Sequence, residues 1–97
     1  LIYKNNFTIL KEANYMKKVN YAKTNIELFV IYKVKEKRQE IGYSQSELAD
    51  LMNLSNGFIG KIESPNHSAK YNLNHLNKIA KIFKCSLKDF FPNKPFE

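Results

Sequence analysis

The chain has few residues able to do covalent chemistry, and they are not arranged for it. Cys85 is the single cysteine, so neither an intrachain disulfide nor a multi-cysteine metal site can form; a small buried hydrophobe is its expected role. His67 and His75 have no cysteine or acid at ligand spacing, which argues against a metal centre. Ser44, Ser55 and Ser86 have no histidine and acid placed to activate them, so they read as helix caps, not nucleophiles. No catalytic role is expected for any residue, and no cofactor or metal. A different chemistry is available between residues 56 and 61. Asn56 has the donor and acceptor of an amide, which match adenine N6 and N7. Lys61 can donate to guanine O6 and N7 or to a phosphate, and Gly57 permits close approach or leaves a base unread.

Such side chains discriminate only if rigid elements hold them, and the sequence marks those elements by their caps. Thr24-Asn25-Ile26-Glu27, Ser44-Gln45-Ser46-Glu47 and Ser86-Leu87-Lys88-Asp89 each place a hydroxyl at a helix start and an acid three residues on. The hydroxyl accepts from the third helical N–H, the acid reaches back to the cap N–H, and its charge complements the helix dipole. Ser55 and Asn72 are two further caps. Five helices follow, over about residues 25–40, 45–52, 56–63, 73–84 and 87–91. Ile26, Val30 and Val34 form the inner face of the first. Leu73, Leu76, Ile79, Ala80 and Phe83 repeat at the three- and four-residue spacing of the fourth. Pro92 stops the fifth. No segment alternates as a strand does, and three glycines and three prolines are too few for a turn-rich sandwich. The fold expected is all-α, one domain over residues 24–92, with a basic arm over 1–23 and a short tail over 93–97.

Two of these helices are short and adjacent, and the residues between them carry the strongest signal. Two helices crossing steeply need a small residue at the contact, which Ala49 supplies. The turn between them needs a residue tolerant of positive φ, which Asn53 supplies. Leu48, Met52, Leu54, Ile59 and Ile62 then clamp the pair onto the first and fourth helices. VKEKRQEIGYSQSELADLMNLSNGFIGKIE and LNHLNKIAKIFKCSLKDFF, over residues 34–91, resemble the phage-repressor and Cro-like helix-turn-helix proteins, the Xre family. The resemblance implies a five-helix lambda-repressor-like domain that binds double-stranded DNA. It implies that Gln45 hydrogen-bonds a phosphate and braces the recognition helix, and that Asn56, Gly57 and Lys61 face the groove. Phe58 stands where the family often has a small residue or a tyrosine touching the DNA backbone, and Ser44, which caps the first helix of the motif, is expected with it among the DNA-binding residues. Arg38 and Glu63 match an interhelical salt bridge, a structural role. The loop over residues 64–71 is longer than usual in the family and carries Pro65; Lys70 and Tyr71 at its end are expected phosphate partners.

Charge supports this reading weakly. Sixteen basic residues against nine acidic give +7, which attracts polyanions, but residues 1–25 hold +4 of it and residues 26–91 only +3. The lysines of the arm either hold a minor groove or solubilise the head, and Lys78, Lys81, Lys84 and Lys88 read as a solvated face. The chain opens on Leu1, whereas Met16-Lys17-Lys18 has the form of a bacterial start, and codons for Lys11-Glu12-Ala13 can spell a ribosome-binding site. Residues 1–15 are therefore expected to be translated upstream sequence, or else a true arm. The longest apolar run, residues 28–32, is too short to span a membrane or form a signal-peptide core, so a cytoplasmic protein is expected. No small-molecule ligand is expected. Leu28, Phe29, Ile31 and Tyr32 exceed what one helix face needs, and Phe90, Phe91 and Phe96 crowd the C-terminus. The first surplus points to a partner surface and a homodimer; the second closes the core. Two functions stand on this basis: a DNA-binding transcriptional regulator, acting as a repressor dimer, or a protein-interaction module such as an antitoxin-like partner.

Overall fold

The computed structural model describes residues 22–96. The expectations for residues 1–15 and for most of the arm lie outside the described residues. Four α-helices and one 3₁₀ turn make up the secondary structure of the described part: α1 Asn25–Ile41, α2 Gln45–Leu51, α3 Phe58–Glu63, α4 Leu73–Phe83 and the turn Leu87–Phe90. The fold is all-α, as the periodicity implies.

Local chemistry sets most of these boundaries. Thr24 and Ser44 close capping boxes: the N–H of Glu27 and of Glu47 donates to each hydroxyl, and Glu27 and Glu47 accept from the two cap N–H groups at 2.8 Å. Gly42 ends α1 in the left-handed region at φ 102°, a conformation that L side chains avoid. Asn53 has φ 57°, as the turn between α2 and α3 requires. Asn72 caps α4, and the acid position of its box is filled by a histidine: His75 N–H donates to Asn72 Oδ1 at 2.8 Å and His75 Nδ1 accepts from Asn72 N–H at 3.1 Å. The sequence gives His75 no such partner, because the ring acts here as a neutral acceptor.

Three expectations need correction. Ser55 does not cap α3. The helix starts two residues later than its pattern suggests, with Gly57 at the cap position, φ 91°, and no side-chain cap; Ser55 instead accepts from Phe58 N–H through its carbonyl. The fifth helix is a 3₁₀ turn of four residues, because the Ser86 box at one end and Pro92 beyond the other leave no room for an α turn to propagate. The apolar surplus of α1 is largely spent inside the domain. Phe29 and Ile31 are buried while Ile26 is exposed, and Phe29 meets the ring of Phe96 edge-on at 5.8 Å.

The core is formed by Val30, Val34, Leu48, Ala49, Met52, Ile59, Leu76, Ile79, Ala80, Phe83 and Phe90. Burial of these side chains fixes α3 against α1 and α2, and α4 against α1 and the 3₁₀ turn. Tyr43 stacks on Phe83 at 6.2 Å, closing the gap between the α1–α2 turn and α4. At the other end Ala22 N–H donates to Pro65 O and Lys23 Nζ to Ser64 O, so the chain entering α1 is tied to the loop after α3. No helix among the described residues is long and apolar enough to cross a membrane.

Candidate nucleic-acid interface

One carboxylate organises the helix-turn-helix. Glu63, the last residue of α3, receives Arg38 Nε at 3.0 Å and Arg38 Nη2 at 2.9 Å, a two-pronged ion pair from α1. The side chains are 7% and 3% exposed. Arg38 Nη1 donates to Tyr43 O at 2.8 Å, so the guanidinium also holds the turn that leads into α2. Gln45, first in α2, donates Nε2 to Glu63 Oε1 at 2.8 Å. Three helices thus converge on one side chain, and the charged pair is nearly saturated with hydrogen bonds, the condition under which a buried ion pair is tolerated.

Gln45 also explains a glycine. A Cβ on Gly60 would sit 3.1 Å from Gln45 Oε1, so the glycine leaves room for the amide to lie across α3. Gly57 has another reason. Nothing approaches its Cβ position, but its φ of 91° is left-handed. Both fall within the helix that the sequence pattern places over about residues 56–63. In the structure one shapes the backbone before the helix, and the other admits a neighbouring side chain.

With Ile59 and Ile62 buried, Glu63 paired and Phe58 and Gly60 partly covered, one position of α3 is left facing solvent. Lys61 is exposed, and no carboxylate among the described residues pairs with it. Asn56 is exposed in the turn before the helix, where Ser46 Oγ donates to its Oδ1 at 3.0 Å. This bond uses one lone pair of the amide oxygen, leaving the other lone pair and the NH₂ open. Phe58 is half-buried and lies edge-on to His75 at 5.9 Å, and His75 meets Tyr71 at 6.2 Å. The residues Gln45, Asn56, Gly57, Phe58 and Lys61 are therefore gathered at α3 and its approach, with Ser44 capping α2 beside them.

Lys70 and Tyr71 are placed differently from what the loop suggests. Lys70 Nζ pairs with Glu27 Oε2 at 2.8 Å, and this hydrogen bond, with the Thr24 N–H, holds the Glu27 carboxyl below the usual carboxylate range. The Tyr71 hydroxyl is buried with no hydrogen-bond partner; burial, reinforced by the Glu63 charge, pushes its pKa far up. The phosphate contact expected of Tyr71 does not fit this placement, because its hydroxyl has no open surface. The sequence could not show either placement, since Glu27 lies 43 positions from Lys70. Lys78, which the pattern groups with its neighbours on a solvated face, is placed differently as well. Its Nζ donates to Met52 O at 3.3 Å, at the C-terminal end of α2, where a cation complements the helix dipole.

No group of histidine, cysteine, aspartate and glutamate among the described residues is arranged to hold a metal ion. The lone thiol of Cys85 is half-buried, and burial raises its pKa, which makes it a poor nucleophile.

Comparison with curated proteins and with solved structures returned no match. The helix-turn-helix family profile matches residues 34–90, from the middle of α1 to the end of the 3₁₀ turn. That span includes the Arg38 and Glu63 pair, both helices of the motif and the whole of α4. This chain therefore belongs to the helix-turn-helix family of DNA-binding regulators.

Proposed function

We propose that the chain is a sequence-specific transcriptional regulator that acts in the cytoplasm as a repressor dimer and reads the major groove with α3 and the turn before it. The observation that carries this reading is the contrast between the two sides of α3. One side is locked to α1 and α2 through Glu63, while Asn56, Gly57 and Lys61 are left exposed on the other. Recognition needs that combination, because a side chain discriminates between bases only if its backbone is fixed.

The exposed groups support the following roles. Lys61 donates to guanine or to a phosphate, and Gly57 lets the backbone come close. The NH₂ of Asn56 donates to N7, O6 or O4 on a base edge, and the second lone pair of its oxygen accepts from adenine N6 while Ser46 holds the first. Gln45 divides its hydrogen bonds between Glu63 and a phosphate. Phe58 packs at the DNA backbone. Lys70 reaches a phosphate only in competition with Glu27. Repression is the mode that needs no more than occupancy of a site. A dimer follows because one module reads only a few base pairs.

Selection from a random DNA pool tests the reading. A two-fold symmetric sequence should emerge, with Lys61→Ala and Gln45→Ala binding it more weakly while melting like the parent. Lys61→Ala should also lower the salt dependence of binding by about one phosphate contact if it holds a phosphate. A pool without enrichment would overturn the proposal and favour the antitoxin-like protein-interaction reading.

A further inference from the structure

α3 begins without the side-chain box that starts the other described helices. Its cap position is Gly57, left-handed and with no side-chain cap, and its first residue, Phe58, is half-buried. Ile59 anchors the helix from the core side. The approach over residues 55–57, which carries Asn56, depends on what Phe58 rests against. Phe58 lies edge-on to His75 at 5.9 Å, and His75 meets Tyr71, which packs on the core, at 6.2 Å. One imidazole thus links the start of α3 to the core. The same ring caps α4, where its Nδ1 accepts the Asn72 N–H at 3.1 Å.

We propose that His75 is a positioning residue for DNA recognition: its neutral ring holds Phe58, and through it the turn before α3, so that protonation of this one side chain lowers sequence preference while the domain stays folded. The inference rests on the DNA-binding reading of α3. A protonated imidazole carries N–H on both nitrogens, so Nδ1 then opposes the Asn72 N–H. Its charge also stands at the N-terminal end of α4, where the helix dipole repels a cation. The ring leaves its seat and Phe58 loses its support. Burial is the cause that lowers the pKa of His75, and the groups facing the ring are uncharged. Phe58 faces it from α3, Asn72 and Tyr71 from the segment before α4, and the buried Tyr71 hydroxyl stays protonated. The charged residues of the elements around it are engaged elsewhere or open to solvent. Glu63 is held by Arg38 and Gln45, Lys70 by Glu27, and Lys78 by the Met52 carbonyl, while Lys61 is exposed. With the folded pKa lowered, recognition is complete above pH 6.5 and falls as the pH drops through the folded value.

Specificity, not affinity, is the quantity to follow, because the added charge attracts the phosphates of any DNA alike. The full-length chain carrying His67→Gln, which removes the other histidine, is titrated with the selected duplex and with a scrambled one. Fluorescence anisotropy reads both at fixed ionic strength from about pH 7.5 to 5, the range in which histidine titrates. The ratio of the two affinities should fall about two- to tenfold, the worth of an edge-on ring contact. His75→Gln keeps the acceptor and loses the ring, so it should melt near the parent but show the low ratio at every pH. His75→Phe keeps the ring and loses the acceptor, so it should melt lower yet hold the high ratio throughout. A histidine that only stabilised the fold would move both variants in step with their melting temperatures. A ratio that ignores pH, or a His75→Gln protein with the parent's ratio, would overturn the proposal while leaving DNA binding intact. In NMR spectra without DNA, the Phe58 ring and Gly57 amide signals should follow the His75 titration; signals that do not would overturn it whatever the DNA pool yields. A pool without enrichment would overturn it together with the proposed function.

Discussion

Gly57 and Gly60 stand three residues apart, and replacing each with alanine should give opposite results. At Gly57 the added methyl meets no atom within 4 Å, so the whole effect is the left-handed φ of 91°, which costs an L residue about 1–2 kcal/mol. For a domain of this size each kcal/mol lowers the melting temperature by about 4–8 °C. Gly57→Ala should therefore melt roughly 5–15 °C below the parent, and Gly57→Asn should recover part of the loss, since asparagine tolerates this region. At Gly60 the backbone is ordinary helix, and alanine gains about 1 kcal/mol of propensity. Against this, the new Cβ lies 3.1 Å from Gln45 Oε1, which must move by a few tenths of an ångström. The disturbed bond from Gln45 to Glu63 is exposed and carries about 1 kcal/mol net at most. The two contributions nearly cancel, so Gly60→Ala should melt close to the parent yet bind the selected DNA site more weakly, because the displaced amide no longer offers its phosphate contact. Thermal melts followed by circular dichroism and binding by fluorescence anisotropy at fixed salt separate the cases. A Gly57→Ala protein as stable as the parent, or a Gly60→Ala protein with undiminished affinity, would refute the corresponding step.

Other perturbations follow from the same contacts. Arg38→Met leaves the Glu63 carboxylate buried with only Gln45 for company and should cost about 3–5 kcal/mol by urea denaturation, most of it restored when Glu63→Leu is added; equal stability of both proteins would show that the pair is not the organising contact. His75 titrates below its usual 6.5 because of burial, and its Nδ1 accepts the Asn72 N–H only when unprotonated. With the folded pKa lowered, stability is complete above pH 6.5 and falls as the pH drops through the folded pKa. His75→Gln, which keeps an acceptor, should flatten that fall, and an unchanged pH profile would count against the histidine. Ser46→Ala removes the hydroxyl that orients the Asn56 amide, so discrimination at the base it reads should weaken; an unaltered preference would remove Ser46 from the reading of sequence.

How much of this the sequence could reveal depended on how far each interaction reaches along the chain. The boxes at Thr24, Ser44 and Ser86 close within three residues, so a hydroxyl and an acid at that spacing announce them. Ala49 and Asn53 were legible because a steep crossing and a positive φ each restrict a single position to few residue types. Ser55 misled for the converse reason. It has the chemistry of a cap, but a cap also needs the next residues to turn helically, and Gly57 takes the left-handed region instead. Lys70, Tyr71 and Lys78 could not be placed at all, because Glu27, the core and the Met52 carbonyl reach them only through the tertiary fold. The surplus of apolar residues on α1 was legible as a surplus, but its main use was not. Phe29 turns inward to a ring 67 positions away, and the unburied apolar face falls at Ile26 and Leu73 instead.

The division of labour around α3 bears on what can change in this protein without loss of the fold. Arg38, Gln45 and Glu63 come from three helices and meet within hydrogen-bond distance, and neither Arg38 nor Glu63 can be replaced alone without leaving a buried partner unsatisfied. Asn56 and Lys61 contribute nothing to the core; Asn56 touches only Ser46, and Lys61 pairs with no carboxylate among the described residues. Surface changes of this kind alter stability by about 0.5 kcal/mol or less, whereas a good base contact changes affinity by about 1–3 kcal/mol. The positions that would set the operator are thus the ones the fold leaves free to vary, and the positions that aim them are fixed. Exchanging Asn56 and Lys61 together should therefore redirect sequence preference with little change in melting temperature, since one lies in the turn before α3 and the other within α3, with no shared partner. Coupled loss of stability in that double variant would mean that reading and scaffolding are not separable here.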